Sequence, residues 1–238
     1  KKRYTIGRKN SVKKDFGESV RFIGKEQPVI GKGLIVIFCI NLFLSAMIVV
    51  GLPYMVTEVL ALEHTLANTL YGFAQGALAA GGLAGGISAG VFGKKLNIQR
   101  TGNFIIACAG FVFPMGIVLI ISSSAMIHYV VMTICCFFIM VCSTIFMVQM
   151  MSFVQTETPQ NMIGKVIAVI FTFSMCAQPL GNAFYGVLFE VCKGYEYVVI
   201  LFAGVISFVI AVSTRKVFQG FSSVGRDAEG RHEISSTH

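Results

Sequence analysis

A chain of 238 residues that is 55% hydrophobic and only 13% charged, with a mean hydropathy of +0.77, is not a soluble domain, which carries roughly a quarter charged residues. The charges collect at the two ends and in short islands, and the apolar runs between them reach the roughly 20 residues that cross a hydrocarbon core of about 30 Å as helix. The formal charge of +8 reads as membrane sidedness and anionic headgroups rather than nucleic-acid binding, and a membrane barrel is excluded because nothing alternates with a period of two.

The chain opens KKRYTIGRKN, without methionine and inside a basic segment, as a fragment or one half of a longer protein would. Residues 1–32 form a basic linker. In it, Asp15 followed by Glu18 has the form of a capping box. Phe16, Val20 and Ile23 then share one helical face, Arg21 and Lys25 another, and Pro28 stops the helix. Two readings stand: an amphipathic helix lying on the bilayer surface, or a solvated linker helix.

Six spanning helices fill residues 33–213. The first, Gly33–Val56, places Asn41 and Ser45 on one face. The second, Asn68–Gly93, carries Tyr71 and Gln75 on one stripe and glycines in two registers, Gly82–Gly86–Gly90 and Gly81–Gly85–Ala89–Gly93. Small residues every four positions let helices approach closely in lipid. A phosphate loop is excluded, because no Gly-Lys-Ser/Thr follows. A basic island with Lys94, Lys95 and Arg100 leads to the third span, Gly102–Ser122, and the fourth, Met126–Val154, which holds Gln149 and Ser152.

The polar turn TPQNMIGKV comes next. Pro159 ends one helix; Gly164 and Lys165 open the fifth span, Gly164–Glu190. Phe171, Ser174, Gln178, Asn182 and Tyr185 recur there at spacings of three and four, one stripe of a helix. Pro179 interrupts the hydrogen-bond ladder and predicts a kink, with the small residues Gly181 and Gly186 beside it for packing. The sixth span is Tyr197–Ser213, and residues 214–238 form a tail.

Eighteen of the 19 lysines and arginines fall at one end of this bundle; only Lys193 falls at the other, with Glu58, Glu63, Glu190 and Glu196. The positive-inside rule makes both termini cytoplasmic. Tyr54, Tyr71, Tyr129, Tyr195 and Tyr197 then supply an outer aromatic belt. The seven cysteines show no Cys-x-x-Cys and read as inert buried thiols, so no metal and no cofactor is expected.

The island Gly90-Val-Phe-Gly-Lys94-Lys95-Leu-Asn97-Ile-Gln-Arg100 resembles the loop motif Gly-x-x-x-Asp-Arg-x-Gly-Arg-Arg that follows the second and eighth helices of the major facilitator superfamily. Gly90, Lys95 and Arg100 keep its glycine and its cations; Lys94 replaces the aspartate and Asn97 the second glycine. The run Gln155…Pro159…Gly164-Lys165-Val166, then Gln178-Pro179-Leu180-Gly181 and Gly186, is similar to the junction of helices ten and eleven in that superfamily's drug exporters, the macrolide-efflux type above all. There a Gln…Pro…Gly-Arg-Val turn precedes a helix with Pro-Leu-Gly. The segment at Asp15-Phe16 resembles the same family's central cytoplasmic loop.

The resemblance spans residues 15–215. It implies an all-α membrane protein, one half of a major facilitator fold with a 3+3 inverted repeat, and its six helices would be the seventh to twelfth of twelve. A faint internal echo sets LAGGISAGVF of the second span against LGNAFYGVLF of the fifth. It also implies a secondary transporter of the cell membrane that exports drugs or other amphiphilic molecules by alternating access. Its partners would be the lipid bilayer, a small amphiphilic substrate, and a missing N-terminal half or a second copy; nucleic acid is not among them.

No Asp, Glu, Lys or Arg lies well inside a span, so ion coupling, which uses such groups, would fall to the other half. The candidate substrate residues are uncharged: Asn41, Gln75, Gln149, Phe171, Gln178 and Asn182. Such amides are either interhelical glue or the polar points of a broad apolar cavity. An intramembrane enzyme is not expected, because His128 stands alone at a helix end. A six-helix homodimeric transporter and an inactive structural fragment stay open as alternatives.

Overall fold

The computed structural model describes residues 17, 21, 23–24, 28–60, 63–93, 98–122 and 124–219. Most of the expected surface helix, Lys94, Lys95, the Arg100 side chain and the tail past Gln219 lie outside those residues. Of that helix's apolar face only Ile23 is described, and it is buried.

Among the described residues from Pro28 on, six helical rods run up and down. The first, 28–59, is composite: α1 (Pro28–Cys39), a π-helical segment (Ile40–Ser45), α2 (Ala46–Tyr54) and a second π-helical segment (Met55–Val59). Pro28 opens α1, where a missing N–H costs nothing. Pro53 sits inside α2, and the helix re-registers directly after it. The Thr57 hydroxyl donates to the Pro53 carbonyl at 3.0 Å, and the Leu60 N–H reaches the Met55 carbonyl, five residues back, at 3.0 Å. A π-bulge is how such a ladder absorbs one displaced residue.

The other rods are α3 (His64–Phe92), α4 (Ile98–Ile121), α5 (Ala125–Glu157), α6 (Ile163–Val191) and α7 (Glu196–Gln219). Each expected span is a helix, and most ends lie further out because polar flanks such as Gln155–Glu157 continue the helix beyond the apolar run, while α3 and α4 stop one residue short, at Phe92 and Ile121. Among the described residues, five rods are long and apolar enough to cross a membrane: Ile30–Val59, Thr101–Ile121, Ala125–Glu157, Ile163–Val191 and Glu196–Thr214. The remaining rod, α3, matches α6 at 29 residues, but seven glycines and Gln75 dilute its hydropathy.

The turn before α6 closes on Pro159, whose carbonyl accepts from Met162 at 2.8 Å and Ile163 at 3.1 Å. At the opposite end, Gly194 takes φ of 89°, a left-handed conformation glycine enters without a Cβ penalty. Its N–H donates to the Glu196 carboxylate at 2.8 Å.

The rods pair selectively. The first rod packs on α6, α3 on α5, and α4 on both α5 and α7. Small residues mark the closest approaches. A Cβ on Gly81 would stand 2.5 Å from the Phe137 carbonyl oxygen, and one on Gly85 2.7 Å from that of Val141. Gly181 meets the Leu42 carbonyl and Ala46 in the same way. Of the expected packing residues, Gly181 is at a contact; within the chain the contact register of α3 is Gly81–Gly85, while Gly86 and, on α6, Gly186 have no neighbour within 4 Å. Gly82 has only the Met140 Cε and the Thr144 hydroxyl, at 3.7 and 4.0 Å. Both ladders have identical spacing, so the rotation of α3 is set by its partner. As for Pro179, α6 runs through it as one helix.

Two apolar clusters result. One, with Ile30, Ile37, Phe146, Met150 and Val166, lies at the basic end; the other, with Met47, Met55, Met132, Tyr185 and Phe189, lies toward the acidic end.

Candidate binding cavity

A cavity of about 450 Å³ opens between the first rod, α3, α5 and α6. Each contributes residues from its middle turns: Leu44, Ser45 and Ile48 from the first rod, Gln75, Leu78 and Gly82 from α3, Met140 and Ser143 from α5, and Gln178 from α6. The size falls in the range of small-molecule sites, about 300–1,000 Å³.

The four rods leave this space for a local reason. Pairs first rod–α6 and α3–α5 each close on small residues, and α5 and α6 touch only sparsely. The gap therefore lies between the two pairs. Gly82, one residue past the α3–α5 contact, keeps its wall low there.

Four polar side chains point to the chemistry: Ser45, Gln75, Ser143 and Gln178, one from each rod, on a largely apolar surface. The Gln75 amide Nε2 donates to the Tyr71 hydroxyl at 2.6 Å, one helical turn away, which fixes the amide and leaves its carbonyl as an acceptor. No lining residue is ionisable. Among the described residues no group of His, Cys, Asp or Glu could hold a metal ion. The cavity can offer hydrogen bonds and dispersion contact.

Two of the six expected substrate residues, Gln75 and Gln178, line the cavity. The other four do not. Asn41 spends its amide on its own backbone: Nδ2 donates to the Ile37 carbonyl at 2.9 Å, where the π-helical segment begins. Gln149 lies at the basic end, its Nε2 3.2 Å from where a Gly93 Cβ would stand. Phe171 is 43% exposed, about two turns below Gln178. Asn182 sits one turn above Gln178, with Oδ1 buried and without a hydrogen-bond partner.

Ser45 and Ser143 complete the site. Ser45 shares a stripe with Asn41 and was legible on that account. Ser143 carried no periodic signal, since the residues three and four away, Ile139, Met140, Phe146 and Met147, are all apolar. Of the loop positions, Pro159 closes its turn, and Gly90 and Gly164 have open space. The seven cysteines are free thiols; Cys108, Cys135 and Cys136 are buried, and Cys176 is exposed, so burial does not extend to all of them.

A family model described as Major Facilitator Superfamily matches residues 3–182. No curated protein and no solved structure gives a significant match. With a match over well over half of its length, on a bundle of spanning-length apolar helices, the chain belongs to the Major Facilitator Superfamily, a family of multi-pass membrane transporters.

Proposed function

We propose that this chain is the C-terminal six-helix half of a secondary active transporter that exports uncharged amphiphilic small molecules by alternating access. The observation that carries the reading is the mid-depth cavity between four rods, apolar and dotted with one uncharged polar group from each. An amphiphile matches both parts of that wall. A fixed charge would find no counter-charge in it and would bear its desolvation alone.

Orientation follows from lysine and arginine: the basic end faces the cytoplasm, and the membrane is the cell (plasma) membrane. The pairing of rods supports a 3+3 inverted repeat. Exchanging the first three rods with the last three turns the first rod–α6 pair into the α5–α3 pair and keeps α4–α7. Rods three apart also run in opposite directions, as an inverted repeat requires.

The partner half docks on α3 and α6. Both present exposed faces within the chain; α3 lines its face with Gly72, Gly76, Gly86 and Gly90, none of which has a neighbour within 4 Å. Glycine on a face that meets only lipid has no use, whereas at a helix contact it permits close approach. Ion coupling belongs to that other half, because the cavity here holds no ionisable group.

The test is binding of Nile red, an uncharged amphiphilic dye with a ring carbonyl, to the purified chain in detergent. Gln178→Ala should weaken binding about fivefold to tenfold, the worth of one hydrogen bond, with the melting temperature held. Unchanged affinity in a folded variant would remove the cavity from consideration as the substrate site.

A further inference from the structure

Six buried side-chain oxygens among the described residues lack a hydrogen-bond partner, and four of them are serine or threonine hydroxyls. Such a hydroxyl sits beside its own backbone and turns readily to the carbonyl four residues back, as Thr172, Ser174 and Thr214 do here. The other two are Asn182 Oδ1 and the Tyr185 hydroxyl, both on α6. A phenol is held too far from its own helix for that rescue. Tyr185 is also fully buried, at 0% exposure. In a membrane interior no water stands ready to satisfy these groups, and unsatisfied buried polar groups in native proteins need a reason.

Their position supplies one. Gln178, Asn182 and Tyr185 follow at spacings of four and three, so they share one face of α6. Gln178 lines the cavity. Asn182 and Tyr185 are the next two turns toward the acidic end. That stretch of α6 is pressed on the first rod, with Gly181 against the Leu42 carbonyl and Tyr185 in one cluster with Leu44, Met47 and Ile48. Beyond them lies a chain of rings: Tyr185 and Phe189, tilted with centroids 6.3 Å apart, and Phe189 stacked on Tyr54 at 5.1 Å. The backbone facing Gly181 belongs to the π-helical segment Ile40–Ser45, a place where a helix changes register.

We propose that Asn182 and Tyr185 form a second polar subsite for the cavity's ligand, closed in this state and opened when the first rod and α6 part beneath the Tyr54–Phe189 stack. Asn182 Oδ1 takes a hydroxyl or amide N–H of an uncharged amphiphile, and the Tyr185 hydroxyl donates to a carbonyl. The proposal rests on the transport reading, and the experiment separates the two.

Asn182→Cys in the full chain, in sealed vesicles with the acidic end facing out, is treated with 2-(trimethylammonium)ethyl methanethiosulfonate, and modified positions are located by peptide mass. The native thiols calibrate it: Cys192 lies at the acidic end and Cys136 is buried at 0% exposure. The thiol at position 182 should react at roughly 0.1–10% of the Cys192 rate, the share of a minor open state, while Cys136 stays unmodified. Reactivity as low as that of Cys136 overturns the subsite.

Tyr185→Phe is the second arm, because it removes only the hydroxyl. Its melting temperature should equal or exceed that of the parent, since an unpartnered polar atom is lost, while Nile red binds about fivefold to tenfold more weakly. If Gln178→Ala weakens binding and Tyr185→Phe does not, the subsite falls and the transport reading stands. If neither variant changes binding, both fall.

Discussion

Asn41 and Gln178 carry the same functional group at comparable depth, yet the fold gives them opposite tasks. The Asn41 amide is held 2.9 Å from the Ile37 carbonyl, where the ladder changes from i→i−4 to i→i−5 and a carbonyl is left over; the Ala46 N–H indeed reaches Asn41, five residues back. Gln178 has no backbone to serve and turns to the cavity. The sequence could show that both are amides inside apolar runs, and stripe spacing was enough to find Gln75 and Gln178. Spacing selected Asn41 by the same rule and could not show the π-bulge that occupies it, because register change is a property of packing rather than of periodicity. The consequence is a crossed outcome. Asn41→Ala should destabilise the chain by about 0.6 kcal/mol, the average for hydrogen bonds in a membrane bundle, and by no more than about 1.7, and leave Nile red affinity unchanged. Gln178→Ala should do the reverse. Melting temperature and dye titration on the two purified variants check this, and a loss of affinity in Asn41→Ala without loss of stability would return Asn41 to the site.

Between elements, packing is decided by which glycines lie at a contact. The ladders Gly81–Gly85 and Gly82–Gly86 are indistinguishable by spacing, and either could have faced α5. What separates them is where Phe137 and Val141 place their carbonyls. Element existence was therefore legible: each expected span is a helix, since long apolar runs admit little else. Rotation about the helix axis was not legible, since it depends on the neighbour. A pair of conservative substitutions exposes the difference. Gly85→Ala adds a methyl 2.7 Å from the Val141 carbonyl oxygen and 2.9 Å from Thr144 Cβ. Backbone and a branched side chain cannot withdraw cheaply, and overpacking of this kind costs about 1–3 kcal/mol. Gly86→Ala makes the identical chemical change where nothing lies within 4 Å, so only helix propensity acts, which favours alanine by up to about 1 kcal/mol. Thermal unfolding should therefore move in opposite directions for neighbouring residues. Equal shifts would mean that α3 is rotated from the position described here.

At the scale of the whole molecule, sidedness and assembly follow from separate features. Sidedness is a reading of the sequence: 18 of the 19 lysines and arginines fall in segments of one side, and the positive-inside rule makes that side cytoplasmic, a proposal that labelling tests. An impermeant thiol reagent added outside cells should therefore modify Cys192, while external protease leaves the tail beyond Arg215 intact; tail cleavage from outside would invert the orientation. Assembly rests on faces, and here the sequence was suggestive only once the structure had used up one glycine ladder on α5. The unused face of α3 combines Gly86 and Gly90 with Leu83, Ile87 and Val91, each exposed by 66% or more. If another six-helix unit covers it, large side chains there must matter to assembly and not to the chain itself. Gly86→Leu with Gly90→Leu, placed on open space, should leave the isolated chain no less stable than the parent, since only helix propensity acts there and it favours leucine over glycine by up to about 1 kcal/mol per site. In the intact transporter the same pair should lose association between the halves, read by co-purification of separately tagged halves. A second copy of this chain would show itself differently, as a concentration-dependent dimer of the parent that the double variant abolishes. Retained co-purification together with a monomeric parent chain would leave α3 facing lipid and remove it as the docking surface.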